Sequence, residues 1–193
     1  MSNTYLLTWN PEKWDFEGGY HAFLKQVNAG EKPVLEWRAA NSSIQKGDVM
    51  YLMRLGTEPR GIILKGIALG SGHPSKHYEA ARAAAGEVVN RVDVQFISAG
   101  DYTKGEFIDW RILKDQFPNQ NWTPQASGIR IRDEYCNDLD ELWLHITNSI
   151  NVPMRPKNII RKADGSVRYI CGRCEMLFIK NARCPNCGQL VKE

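Results

Sequence analysis

A mixed α+β fold, in which strands form a small barrel-like sheet edged by short helices, is the architecture this sequence predicts. Three observations point there. Short apolar runs at 5–9, 49–55, 62–69 and 88–97 are bounded by Gly, Pro and Asp turns, as strands are. Between them lie short stretches of helical periodicity, without the βαβ spacing or Gly-rich phosphate loop of a doubly wound nucleotide-binding fold. Four of the five cysteines fall in the last 23 residues, which sets a small appendage apart from the body.

Taken in order, YLLTW at 5–9 reads as a strand that Pro11 ends. From Glu17 to Ala29, Tyr20, Phe23, Leu24 and Val27 fall at helical spacing and Gly30 is a stop signal, so a helix is predicted. The turn Lys46-Gly47-Asp48 leads into a strand at 49–55, and TEPRG leads into another at 62–69, which predicts a hairpin-like pair. KHYEAARAAA at 76–85 is Ala-rich and predicts a short helix, whereas VVNRVDVQFI at 88–97 alternates in its second half as a strand does. A short helix is expected from Trp110 to Phe117, then a surface loop, PNQNWTPQASG. The strongest helix signal runs from Asp133 to Ile150, where Tyr135, Leu139, Leu142, Trp143, Ile146 and Ile150 make one apolar stripe. Pro153 and Pro156 end it.

With 193 residues, 42% apolar and 24% charged, the chain has material for a packed core, which excludes a wholly disordered protein. The first twenty residues lack the basic start and apolar stretch of a signal peptide, and no run approaches the roughly 18 apolar residues of a membrane span. A soluble, cytoplasmic protein with no membrane partner is expected. Three segments are read: a body at 1–150, a basic linker at 151–165 and a C-terminal unit at 166–193. Residues 1–150 carry 16 basic and 19 acidic side chains, and residues 151–193 carry 9 and 3. The formal charge of +3 thus hides a mildly acidic body and a basic tail, the electrostatic footprint of a polyanion partner.

In that tail, Cys171-x2-Cys174 and Cys184-x2-Cys187 are two matched C-x2-C pairs. Each pair curls its backbone so that two thiolates face one ion in half a tetrahedron, which points to zinc rather than to disulfides. The surrounding ICGRCEMLFIKNARCPNCGQL resembles a zinc ribbon, with Gly172, Pro185 and Gly188 where its knuckles turn tightly. A structural Zn2+ is therefore expected.

The body carries three further motifs in order: TWNPEKW at 8–14, GDVMYLMRLGTEPRGIILKG at 47–66 and NWTPQASGIRI at 121–131. Together they resemble the EVE domain, a relative of the PUA and YTH folds, and more narrowly the form fused to HNH nucleases in modification-dependent restriction enzymes. The resemblance covers about residues 3–149. It implies a PUA-like pseudo-barrel of mixed strands with peripheral helices, and a reader that flips a modified base, in the nuclease fusions a modified cytosine of DNA, into an aromatic cage.

The residues agree in kind. A base pocket needs aromatic faces above and below, which Trp9, Trp14 and Trp37 can supply, and polar groups in the plane of the base. Asn10, Asn41, Gln125 and Ser127 suit a base edge, and Gly128 would let a backbone amide approach closely. Arg54 and Arg60 beside the hairpin, with Arg155, Lys157, Arg161 and Lys162 in the tail, are candidate phosphate contacts. The four histidines are His21, His73, His77 and His145, none of them between the cysteine pairs, so the His-Asn-His site of the fused nucleases is not visible. The leading expectation is a non-catalytic reader, the recognition part of a restriction or defence system, whose ribbon adds backbone contacts or recruits an effector protein. Two alternatives stay open: a compact or degenerate modification-dependent endonuclease, and a PUA-like RNA-binding or adaptor protein.

A ribbon this short cannot bury a core of its own, so zinc binding, worth roughly 10–16 kcal/mol in small zinc-finger peptides, must supply its folding free energy. Chelation is expected to unfold the chain from about residue 166 onward and to spare the body, as read by amide exchange. A single cooperative loss of the whole chain with chelator would contradict this.

Overall fold

The computed structural model describes residues 2–77, 80–149, 156–170 and 176–179. Arg155 and the cysteines at 171, 174, 184 and 187 lie outside the described residues, so the expected zinc site does too.

Within the body, β1 (Thr4–Trp9) lies parallel to β3 (Val49–Arg54), with Leu6 opposite Tyr51. Antiparallel pairing then carries the sheet from β3 to β4 (Gly61–Ala68), to β6 (Val88–Ala99) and to β2 (Val34–Arg38) at one edge. At the other edge β8 (Ile129–Arg130) pairs with β1, while β5 (His73–Lys76) and β7 (Ile108–Asp109) add to β6 and β4. Register shifts at Leu52/Met53 and Lys65/Gly66 kink the central strands, as bulges do when a sheet curls. The two ends of the sheet meet: Ala40 N–H donates to Ser127 O at 2.8 Å, and Trp37 Nε1 donates to Thr8 O at 3.2 Å. The result is the curled α+β half-barrel that the motifs predict.

β1 and β3 read as unbroken apolar runs because they are covered on both faces. Tyr5, Leu7 and Trp9 point with Met50 and Leu52 into one cluster, roofed by α1 (Tyr20–Asn28) through Tyr20, Phe23, Leu24 and Val27. Leu6, Tyr51 and Met53 point into the other, built with α3 (Trp110–Gln116) and α4 (Asp133–Ser149) around Trp143.

Several expectations change. The first helix starts at Tyr20, not Glu17, because Gly18 and Gly19 take φ of +72° and +83°, a conformation that cannot continue a right-handed helix. Within the helix expected at 76–85, Ala80–Ala84 forms α2, while His73–Lys76 joins the sheet as an edge strand, where Pro74 is tolerated. The loop at 118–128 is a loop, but not a purely surface one: Trp122 is buried and its Nε1 donates to Phe117 O. Strand β2 carried no expectation, because along it only Trp37 is buried. In the segment read as a linker, β9 (Asn158–Arg161) is a strand that pairs with β10 (Val167–Ile170), and β11 (Leu177–Ile179) completes a three-stranded antiparallel sheet. Among the described residues, no helix is long and apolar enough to cross a membrane.

Helix α4 is tied to the sheet by a polar contact as well as by Trp143. Tyr51 Oη donates to Asp140 Oδ1 at 2.7 Å, and Lys65 pairs with the same oxygen. Burial alone raises the Asp140 carboxyl, but the hydrogen bonds from Lys65 and Tyr51 outweigh it and hold its pKa below the ordinary 3.8. The stabilisation is therefore present above pH 3.8 and lost as pH falls through the lower folded-state value. Because the Asp140 side chain is 43% exposed, screening limits it to about 1 kcal/mol. Asp140→Asn is expected to lower stability by about that much at pH 7 and to flatten the acid limb of a denaturant-derived stability profile. An unchanged acid limb would contradict the assignment.

Candidate functional site

At the end of β1 the chain reverses tightly. Asn10 O accepts from the amides of Lys13 and Trp14, and Asn10 Oδ1 accepts from the Glu12 amide at 3.0 Å, so the side chain closes the turn that Pro11 begins. That turn brings Trp14 back over the strand end, where Trp9 Nε1 donates to Trp14 O at 2.7 Å. Trp37 arrives from β2 on the other side of the closure and is held by its bond to Thr8 O.

Phe16 packs beneath all three indoles, with ring centroids at 5.0 Å from Trp9, 5.1 Å from Trp14 and 5.9 Å from Trp37. Trp9 also stacks on Tyr20 at 5.6 Å, and the buried Tyr20 hydroxyl shares its proton between the carbonyls of Gly100 and Ile63. Burial, then the nearby Asp101 carboxylate, pushes that phenol well above its ordinary pKa, so it stays a donor. Trp9 and Trp37 are 3% and 7% exposed and belong to the core, whereas Trp14 is 43% exposed.

These side chains line a cleft of about 540 Å³. Asn10 and Gln125 bring side-chain amides to it, and Lys13, Glu36, Arg38 and Arg91 bring charge. Trp14 and Trp37 meet at 90° with centroids 5.3 Å apart, so they form a corner rather than the expected pair of faces above and below a ligand. A flat ring placed on one indole presents its edge to the other.

Five of the eight residues expected at a base, Trp9, Asn10, Trp14, Trp37 and Gln125, thus converge on one cleft. The other three are not among its lining residues. Asn41 Oδ1 accepts from the Ser43 amide, and Ser127 Oγ is buried against the Thr8 amide. Gly128 takes φ +87° with its amide on Leu6 O, and a Cβ there would lie 2.9 Å from Ala39 Cα, so the close approach it permits is to the protein's own backbone. Arg54, expected at a phosphate, is buried instead, donating to Thr57 O and Pro59 O beneath the Tyr102 ring. Arg60 lies over Trp110 at 4.2 Å and pairs with Glu58. Lys157, Arg161 and Lys162 sit exposed on and beside β9. Sequence reasoning missed Glu36 and Arg38, which flank Trp37, and Arg91, which only strand pairing brings to the cleft.

No family model and no curated protein matches the chain. Solved structures do. A protein from Pseudomonas syringae superposes with a TM-score of 0.51 at 15% identity, over 73% of this chain and 99% of its own. A hypothetical protein from Leishmania major gives 0.50 at 13% identity, over 73% and 94%. These two establish a shared fold. The human THYN1 protein in complex with 5-methylcytosine-containing DNA gives 0.49 at 16% identity, over 74% and 98%.

Burial separates the three indoles by role. Trp9→Ala is expected to cost about 3–5 kcal/mol in chemical denaturation, the range for emptying a large aromatic from a core, and Trp14→Ala less than about 1 kcal/mol. Equal losses would contradict the placement of Trp14 at the mouth of the cleft.

Proposed function

We propose that the chain is a non-catalytic reader of modified nucleic acid, whose cleft takes a modified cytosine swung out of DNA. The observation that carries this reading is the convergence of three indoles, two side-chain amides and three cations on one cleft of about 540 Å³. Its volume lies within the roughly 300–1,000 Å³ of ligand sites, and its chemistry follows the parts of a nucleotide. Indoles offer the flat apolar surface on which a base stacks, worth about 1–3 kcal/mol per base. Side-chain amides meet donors and acceptors on the base edge alike.

The corner of Trp14 and Trp37 supports a reader of the base's substituents. A base stacked on one ring turns its edge, where a cytosine carries its 5-substituent, toward the other. Burying one methyl group there is worth about 0.8 kcal/mol, a factor of roughly four. Flipping costs a few kcal/mol and nearly cancels the stacking, so affinity rests on phosphate contacts and falls with salt. In this reading the C-terminal unit, folded on a zinc ion held by the four thiolates, adds backbone contacts or recruits an effector protein of a restriction or defence system.

The test is a titration of duplexes carrying one 5-methylcytosine, one 5-hydroxymethylcytosine or plain cytosine, using wild type and Trp14→Ala. Trp14 is the better probe than Trp9 because its removal leaves the core intact. Wild type is expected to bind one modified duplex about fourfold tighter or more, and Trp14→Ala to remove that difference. Equal binding of all three duplexes by wild type would contradict the reading.

A further inference from the structure

Strand β2 pairs with β6 so that Arg38 stands directly opposite Arg91. Like charges facing each other across an antiparallel pair destabilise a sheet, and this pair lies in the lining of the cleft, with Lys13 close by on the β1 turn. One carboxylate offsets them: Glu36 Oε2 lies 3.1 Å from Arg91 Nη1 and also accepts from Ser75 Oγ. Among the described residues, Glu36 is the one acidic side chain in the lining. The side chains of Lys13 and Arg38 have no ion pair or hydrogen bond among the described residues. Arg91, 17% exposed, has a buried Nε–H with no acceptor among the described residues. Lys13, Arg38 and Arg91 against Glu36 give the described lining an excess of positive charge.

We propose that Lys13, Arg38 and Arg91 form a phosphodiester subsite at the mouth of the cleft, receiving the backbone beside the base; the assignment deepens the base-reading function and rests on it. A nucleotide carries its anion one sugar away from a flat ring, which matches cations set next to an aromatic corner. Guanidinium groups present planar forks of donors that fit phosphate oxygens, and the flexible Lys13 ammonium supplies a point charge. The phosphate contacts thereby move away from Arg54 and Arg60, whose guanidinium groups are held by the protein itself. An arriving phosphate also screens the repulsion between Arg38 and Arg91, so strand pairing and binding favour the same state.

The experiment measures affinity for the modified and plain duplexes across a series of salt concentrations, with wild type, Arg38→Gln, Lys13→Gln and the control Lys25→Gln on α1, outside the cleft. Thermal melts establish that each variant is folded. Arg38→Gln and Lys13→Gln are each expected to weaken both duplexes by the same factor. Each should also flatten the slope of log affinity against log salt by about 0.7–0.9, the release of one phosphate's counterion. Lys25→Gln should leave the slope as it is. Wild-type slopes in both cleft variants would overturn the subsite. A wild type that binds modified and plain duplexes equally, with slopes still flattened by the cleft variants, would overturn the base reading and leave the phosphate contacts standing. Absence of binding to either duplex would overturn both.

Discussion

The closure of the sheet depends on one contact, the bond from the Trp37 indole N–H to the Thr8 carbonyl, reinforced by the Ala40 amide on Ser127 O. An open edge strand offers unpaired backbone groups, and β2 would be such an edge. Folding it against the end of β1 satisfies a carbonyl and buries Trp37, and it leaves a cleft where the two strand ends diverge. The same closure brings the β1 turn beside β2, so that Trp14 and Trp37 meet at right angles. Trp9 completes the frame from below, fixed through its N–H on Trp14 O and its stack on a Tyr20 ring whose hydroxyl is anchored in the core. Each indole that builds the cleft is thus held by something other than a ligand, with Trp14 the most exposed. A site supported this way keeps its shape before the ligand arrives, which lowers the ordering cost of binding.

Charge at the cleft is a second consequence of the same topology. The register that seats Trp37 against Val92 sets Arg38 against Arg91, and the sheet tolerates the repulsion with Glu36 as its partial offset. The free sheet bears that repulsion as a local cost in stability, the kind of conflict that functional sites commonly hold. By contrast, on the far side of the sheet Lys65, Tyr51 and Asp140 satisfy one another and fasten α4.

Much of the body was legible because its signals are local. β1 and β3 are continuous apolar runs, and the α4 stripe around Leu139 and Trp143 spans four turns, so each announces itself in a short window. Strand β2 was not, since a strand with one buried residue has no pattern to read. The TWNPEKW motif and the resemblance it carries led to Trp9, Asn10 and Trp14, and Trp37 and Gln125 were legible as residue types. Burial was not legible: nothing local says that Trp9 is core and Trp14 exposed. Nor could sequence place Arg91 next to Arg38, because 53 residues separate them and only register joins them. Ser127 and Gly128 illustrate the opposite error, residues suited to a ligand whose chemistry serves the closure instead.

The central claim is that a pre-built aromatic corner, held by indole hydrogen bonds to the backbone, receives the base. Indole N–H resonances test it most directly. During titration with a duplex carrying the modified cytosine, the Trp14 indole signal should shift while those of Trp9 and Trp37 remain protected from hydrogen exchange in both free and bound protein. Rapid exchange at Trp9 or Trp37 in the free protein, or a Trp14 signal that does not move on binding, would contradict the account.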